Sequence, residues 1–392
     1  MTASEYLLRV LRGFVQGEDP GPFDGDWRAL LELAAIHSVH GILGHSVMSY
    51  PHPDSAPIAR TMRQECMQTM LLFSRRAEAM ARLSELLSAE RIDHLLFKGY
   101  VVRNCYPVPE LRTFGDIDFL IRKEDRARCD RLMLDQGFQP KTDWEPVYSY
   151  LRGNEFYEIH TEVLEVDVSD KADYRDYFRQ IWDYTKPVGE HAYELTPEFH
   201  LLYLLTHIAK HISSSGAGIR MYLDIAFYIR QYRDTLNWRW FSEEVKKLNF
   251  TDFVNMTFSL VERCFGVESP IPLRPVEAQV LQDFIDFTME GGTFGYVGRD
   301  ASVVQLKKQD RNEESVSKRK TLLHRMFPSA ATIERRYTYL QGRHWLLPVA
   351  WLDRLVRNRA LLGTRIQESR DILTADEAEV LKLKRLYKEI GL

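Results

Sequence analysis

Apolar positions in the first ninety residues recur every three or four places. Leu7, Leu8, Val10 and Leu11 come first, then Trp27, Leu30, Leu31, Leu33 and Ala34, a spacing that predicts helices. Pro51-His52-Pro53-Asp54 breaks the run. A long helix is expected over 57–90, with Met62, Met67, Met70, Leu71, Leu83, Leu86 and Leu87 as its core-facing side. The period changes at Ile92: Ile92-Asp93-His94-Leu95-Leu96-Phe97 is short and apolar, like a buried strand. Lys98-Gly99 follows, then a short helix up to Tyr106-Pro107. Residues 116–121 read as a second strand, and 123–136 as a charged helix stopped by Gly137. Further strands are expected near 147–152 and 155–168. Helical spacing returns from Pro197, over 197–213, 219–233, 238–248, 251–265 and 275–290. Gly291-Gly292 and Gly295 mark a loop. Residues 299–320 are charged and lack apolar periodicity, which predicts an exposed or mobile segment. Residues 321–392 read as helices again, with Trp345, Leu346, Leu347, Trp351 and Leu352 among their apolar positions.

This order predicts an α+β chain with four regions: an N-terminal helical region over 1–91, an α/β core over 92–190, a helical domain over 191–298 and a basic C-terminal helical region over 299–392. The chain has 392 residues, 45% hydrophobic and 28% charged. Such a composition excludes a disordered or fibrous chain. Cys66, Cys105, Cys129 and Cys264 lie far apart, which argues against a zinc ribbon or a disulfide framework and for a reducing, cytoplasmic setting. The N-terminus shows no signal peptide. The most apolar stretch, Phe199 to Ile212, is too short to span a bilayer. Neither a Walker A loop nor a Gly-x-Gly-x-x-Gly turn is present.

Chemistry concentrates at Gly115-Asp116-Ile117-Asp118-Phe119-Leu120-Ile121. Alternate residues of a strand share a face, so Asp116 and Asp118 are expected to point together while Ile117 and Phe119 pack underneath. Neighbouring carboxylates repel unless a cation or a proton sits between them. Paired Mg²⁺ ions held by shared carboxylates are the usual arrangement for phosphoryl and nucleotidyl transfer.

The residues Phe97-Lys98-Gly99, Tyr106-Pro107-x-Pro109, Arg112 and Gly115-Asp116-Ile117-Asp118 resemble the uncharacterised nucleotidyltransferase family of the DNA polymerase beta-like superfamily. Glu158-Ile159-His160 and Leu205-x-His207-x-x-Lys210-His211, with Arg220 and Asp224, extend the resemblance. Phe327-Pro328 and Trp345-Leu346-Leu347-Pro348 are a weaker echo. The resemblance implies a polymerase-beta-like core, a small mixed sheet with helices, flanked by N- and C-terminal helical regions. It also implies transfer of NMP from an NTP to a hydroxyl-bearing acceptor by a two-Mg²⁺ mechanism, with ATP among the nucleotides and Mn²⁺ as an alternative ion. The acceptor is open: a small molecule, a protein or a nucleic acid.

Asp116, Asp118 and a third carboxylate would hold the metals. Glu158, Glu162, Glu165 and Asp167 are candidates; the Glu-Ile-His match favours Glu158, with Glu162 second. On a continuous strand, Glu158, His160 and Glu162 share a face. Lys98 and Gly99 would receive the nucleotide phosphates, where the wider superfamily carries Gly-Ser or Gly-Gly. Arg112 would orient the Asp116 segment or a phosphate. His160, His207, Lys210, His211, Arg220 and Asp224 would line the nucleotide side of the cleft. His207 and His211 share one helical face.

Two other classes remain: a catalytically inactive nucleotide- or protein-binding member of the same fold, and a metal-dependent phosphohydrolase built on the histidines and Asp224. The net charge of −4 hides an asymmetry. Residues 299–370 carry 16 Lys+Arg against 7 Asp+Glu, a net of +9, and the rest carries −13. The basic segment would gather a polyanionic substrate toward an acidic cleft.

Overall fold

The computed structural model describes residues 1–113, 115, 117–144, 146–164, 168–169, 171–214, 216–292, 322–323, 326–333, 337–340, 342–357 and 377–392. The chain divides into two compact units, Met1–Val297 with Gly391–Leu392, and Gly298–Ile390. The charged segment 299–320 lies outside the described residues.

The first unit opens with four helices, α1 (Ala3–Gln16), α2 (Trp27–Ile36), α3 (His40–Ser49) and α4 (Ala59–Ala89). Helix α1 starts on a capping box, Thr2 with Glu5, and ends on Gly17 at a left-handed φ of +75°. Such caps satisfy backbone groups that the helix itself leaves orphaned. Its Leu7, Val10 and Leu11 are buried, as their spacing predicts.

Helix α4 departs from expectation. Met62, Met80, Leu83 and Leu87 are buried, but Met67 and Leu71 are 64% and 53% exposed. The buried face of this 31-residue helix runs through Met62, Cys66, Thr69, Met80, Leu83 and Leu87 at helical spacing, and Met67 and Leu71 fall on its opposite side.

A seven-stranded mixed sheet follows: β1 (His94–Leu96), β2 (Ile117–Ile121), β3 (Gln139–Trp144), β4 (Val147–Arg152), β5 (Glu155–His160), β6 (Thr185–Pro187) and β7 (Ala192–Leu195). Their spatial order is β3-β4-β5-β2-β1-β7-β6. β2 pairs antiparallel with β1 and parallel with β5. Three of these strands, β3, β6 and β7, carry no clear sequence signal. β3 is a polar edge strand whose register shifts between Pro140 and Thr142; proline is tolerated there because an edge strand can spare a donor. β6 and β7 are too short to show alternation.

The expected strand over 155–168 is also corrected. β5 stops at His160: Thr161 N–H still donates to Pro146 O, in register with the β4–β5 pair, and the strand goes no further.

One sheet face carries Ile117, Phe119, Ile121, Tyr157 and Ile159. They pack with Met80, Leu83 and Leu87 of α4 and, later in the chain than the short helix α5 (Gly99–Val102), with Cys129, Leu132 and Met133 of α6 (Arg126–Asp135). After the short helix α7 (Tyr174–Phe178) come α8 (Pro197–Ser214), α9 (Ile219–Tyr232), α10 (Trp238–Lys247), α11 (Thr251–Phe265) and α12 (Ala278–Glu290). Helix α8 buries Phe199, Leu202, Tyr203, Leu205, Ile208 and Ile212. An apolar surface this broad marks a helix covered on most sides; α9 and α10 both pack on it. Helix α1 packs on α11, where Gln16 Nε2 donates to Phe265 O at 2.7 Å.

In the second unit Ile333, Tyr337, Leu340 and Ala350 form a small core against Leu346, Leu347 and Trp351. Trp351 Nε1 donates to Pro328 O at 2.9 Å. Trp345 and Leu352, apolar positions of the same stretch, are 77% and 64% exposed.

Candidate metal and nucleotide site

Strand alternation builds the site. With Ile117, Phe119, Tyr157 and Ile159 turned into the core, Asp118, Glu158 and His160 occupy the opposite face. The parallel pairing sets Asp118 beside Glu158 and Leu120 beside His160. His160 Nε2 lies 2.8 Å from Asp118 Oδ1 and 3.9 Å from Glu158 Oε2. An ionised carboxylate only accepts, so the Nε2–H of His160 donates to Asp118. Among the described residues, Asp118, Glu158 and His160 are the group whose ligand atoms come close enough to share a metal ion, all within 4.8 Å of one another. Asp116, the other expected ligand, lies outside the described residues, as do Glu165 and Asp167.

Glu162 is not on the strand. Its Oε2 pairs with Arg175 Nη2 at 3.3 Å, so the expected Glu158–His160–Glu162 face is cut short where β5 ends.

Lys98 reaches the cluster through a strained bend. Its φ is +54°, a region that side-chain-bearing residues rarely enter. The next position requires glycine, because a Cβ on Gly99 would lie 2.0 Å from Arg112 Nη1. The bend delivers Lys98 Nζ to 2.6 Å from Asp118 Oδ1. Burial by itself would raise the Asp118 carboxyl; the Lys98 ammonium and the His160 hydrogen bond together outweigh it and hold the group well below the usual carboxylate range. Burial, followed by the Lys98 charge, lowers His160.

Arg112 and Asp224 face each other. Arg112 Nε donates to Oδ1 at 3.1 Å and Nη2 to Oδ2 at 2.7 Å, while Tyr106 O–H donates to Oδ1 at 2.7 Å. Both charged residues are buried, at 8% and 4% exposure. Arg112 Nη1 also donates to Thr113 O at 3.0 Å. Arg220 Nη1 donates to the same carbonyl and to Thr113 Oγ1, and Thr113 O–H donates to Ser38 O at 2.7 Å. Thr113 is therefore gripped from three sides just before β2 begins. The sequence offered no signal for it beyond its place next to Arg112.

A model of an uncharacterised nucleotidyltransferase family matches residues 24–266, more than half of the chain. The chain belongs to that family. No curated protein and no solved structure matches it. In this nucleotidyltransferase-family protein the matched span takes in the entire sheet and helices α2 to α11. Among the described residues, no helix is long and apolar enough to cross a membrane.

The family protein's α8 carries the histidine pair. His207 and His211 hold their Nε2 atoms 3.1 Å apart. The His207 ring stacks on Tyr203, Tyr203 meets Phe97 edge-on, and Phe97 meets His160 edge-on, with centroids 5.9, 5.4 and 5.7 Å apart. Burial and then the neighbouring His211 push His207 well below the ordinary histidine range. Burial, with Lys98, Lys210 and Arg220 nearby, lowers His211 to about 4. The metal-capable group of carboxylates does not include these histidines or Asp224.

Proposed function

We propose that this protein is a DNA polymerase beta-like nucleotidyltransferase that moves NMP from an NTP to a hydroxyl-bearing acceptor. The observation that carries this reading is the convergence of Asp118, Glu158 and His160 from two parallel strands, with Lys98 delivered to the same oxygen. Two adjacent carboxylates fit a hard divalent cation, which takes oxygen ligands and leaves positions for water and phosphate. Asp118 and Glu158 would hold Mg²⁺ or Mn²⁺, with Asp116 next to them in sequence as a further ligand. When bound, the ion neutralises phosphate charge and acidifies the acceptor hydroxyl.

The protein's own groups would do the rest. His160 holds Asp118 in orientation by its hydrogen bond. Glu158 would complete the metal site or, instead, accept the proton of the acceptor hydroxyl. Lys98, Lys210 and Arg220 supply positive charge for the triphosphate, and Gly99 lets the backbone approach it. The His207–His211 pair, neutral near neutrality, would offer hydrogen-bonding groups on the nucleotide side. Arg112 and Asp224 act from behind by fixing the Lys98-Gly99 turn and Thr113. In-line attack on the α-phosphorus forms the new P–O bond as pyrophosphate leaves, and positioning with charge neutralisation does most of the work. Four unpaired cysteines accord with a reducing, cytoplasmic setting.

Asp118→Asn tests the reading. Label transfer from α-phosphate-labelled ATP, CTP, GTP and UTP to small-molecule, protein and nucleic-acid fractions should fall about 10³-fold or more, roughly 4 kcal/mol of barrier. Far-UV circular dichroism should not change. Wild-type transfer by the variant would overturn the assignment. Nucleotide-induced stabilisation without transfer by the wild-type protein would instead identify an inactive binding member.

A further inference from the structure

The Lys98–Asp118 contact has a feature that a fixed ion pair does not need. The lysine's backbone is held rigidly: φ is +54°, and Gly99 sits hard against the Arg112 guanidinium. The end of its side chain is a compact ammonium on a flexible stem, a point charge able to change partners without moving the turn. It occupies Oδ1 of Asp118 at 2.6 Å, in a place where both side chains are largely shielded, at 16% and 10% exposure. Glu158 stands beside Asp118 across the strand pair. Two carboxylates so placed require a cation, and in the described site Lys98 is the cation on Asp118.

The same ammonium also acts on helix α8. It lies close enough to α8 to disfavour protonation of both His207 and His211, together with Lys210. It is 5.3 Å from the centre of the Phe97 ring, whose edge meets Tyr203 of that helix. A polyanion entering between Lys98 and Lys210 would meet Nζ without any rearrangement of the backbone.

We propose that Lys98 is an exchangeable counter-cation: it occupies the metal-binding oxygen of Asp118 in the nucleotide-free protein and transfers to the triphosphate when a nucleotide enters, which opens Asp118 to the divalent ion. The proposal rests on the reading of Asp118 as a metal ligand. Nucleotide and metal are then positively coupled, and by linkage each side of the exchange is visible alone. An ion without nucleotide must compete with the lysine. A nucleotide without metal must compete with the aspartate.

Two binding measurements on folded full-length protein test this, with folding checked by circular dichroism. The first titrates Mn²⁺ without nucleotide, by electron paramagnetic resonance. Lys98→Met, which keeps the stem and removes the charge, should bind Mn²⁺ about tenfold more tightly than wild type, within the usual range of coupling factors. Lys98→Arg, which keeps a cation there, should not. The second titrates α,β-methylene ATP, CTP, GTP and UTP in EDTA by calorimetry. Asp118→Asn, which releases the lysine, should bind at least one analogue more tightly than wild type, and Lys98→Met should bind it more weakly. Loss of Mn²⁺ binding in Asp118→Asn combined with unchanged Mn²⁺ affinity in Lys98→Met would overturn the exchange and leave the metal site standing. Equal Mn²⁺ binding by Asp118→Asn and wild type would overturn both.

Discussion

Asp118 and Asp224 are both largely buried and both paired with a cation, yet their surroundings differ in kind. Asp224 meets a planar guanidinium that spans both of its oxygens, and a phenol fills out the set. That fork has one geometry and is already matched to a carboxylate. Asp118 receives an ammonium on a flexible stem and an imidazole on a single oxygen, and its strand neighbour is another acid. The first arrangement is complete and ties α9 to the turn before β2. The second is balanced by a charge that another cation can replace. Burial and an ion pair alone thus do not separate a structural carboxylate from one proposed to bind metal; the rigidity of the partner and the sign of the next neighbour do.

The largest expected effect falls on the structural side. Asp224→Ala strands a buried Arg112 and removes the acceptor of Tyr106, which should cost about 3–5 kcal/mol of folding stability in urea denaturation. Asp118→Asn should cost less in the same measurement, about 1–3 kcal/mol: the Lys98 pairing is lost, but the amide oxygen still accepts from His160, the repulsion with Glu158 is relieved, and the flexible lysine can turn to Glu158 or to water. A cost for Asp224→Ala no larger than for Asp118→Asn would erase the contrast.

The two sites were unequally legible in the sequence. Alternation alone sorts Asp118 from Ile117 and Phe119, and Glu158 and His160 from Ile159; their placement on one face needs only the period of a strand. The register that sets Asp118 beside Glu158 is a non-local pairing between segments forty residues apart, and no local pattern encodes it. The end of β5 was equally hidden, because Glu162 continues the alternation past the point where the pairing with β4 runs out. Arg112 and Asp224 are separated by 112 positions and stand on elements that each look ordinary; an arginine near acids and a lone aspartate on an apolar helix gave no sign of one another. The helices over 197–290 were legible almost to their ends because period and turn residues agree there. β3, β6 and β7 were not, being polar or very short segments, β3 and β6 at the sheet's edges, whose pairing partners decide them.

Gly99 joins the two regions, so a substitution there sharpens the comparison. A methyl group at this position would lie 2.0 Å from Arg112 Nη1 and 2.6 Å from its Cζ. Gly99→Ala must therefore move either the guanidinium off Asp224 or the Lys98 turn off Asp118. Overpacking of this kind typically costs about 1–3 kcal/mol. The expected outcome is a stability loss smaller than that of Asp224→Ala, accompanied by weaker binding of nucleotide in EDTA because Lys98 is displaced. Wild-type stability together with wild-type nucleotide affinity would mean that the turn is not pinned by Arg112.

The smallest effect concerns the wall facing Asp118. Buried His211, beside Lys98, Lys210 and Arg220, titrates in the folded protein at about 4, whereas an unconstrained histidine titrates at about 6.5. Between those values the unfolded chain binds a proton at this ring and the folded chain does not, so stability falls as pH is lowered through the window. Asp118 acts in a separate window. Its folded value is depressed, so the stability it contributes is present above about 3.9 and is lost only below that. His200, lowered by burial to about 3, adds to the histidine window with the same sign, so removing His211 removes one share of the slope. His211→Asn should therefore shrink the difference between urea midpoints at about pH 7 and about pH 5 without abolishing it. An undiminished difference would show that His211 takes up its proton in the folded state as readily as in the unfolded one, and the cation-rich wall beside Asp118 would lose its electrostatic basis.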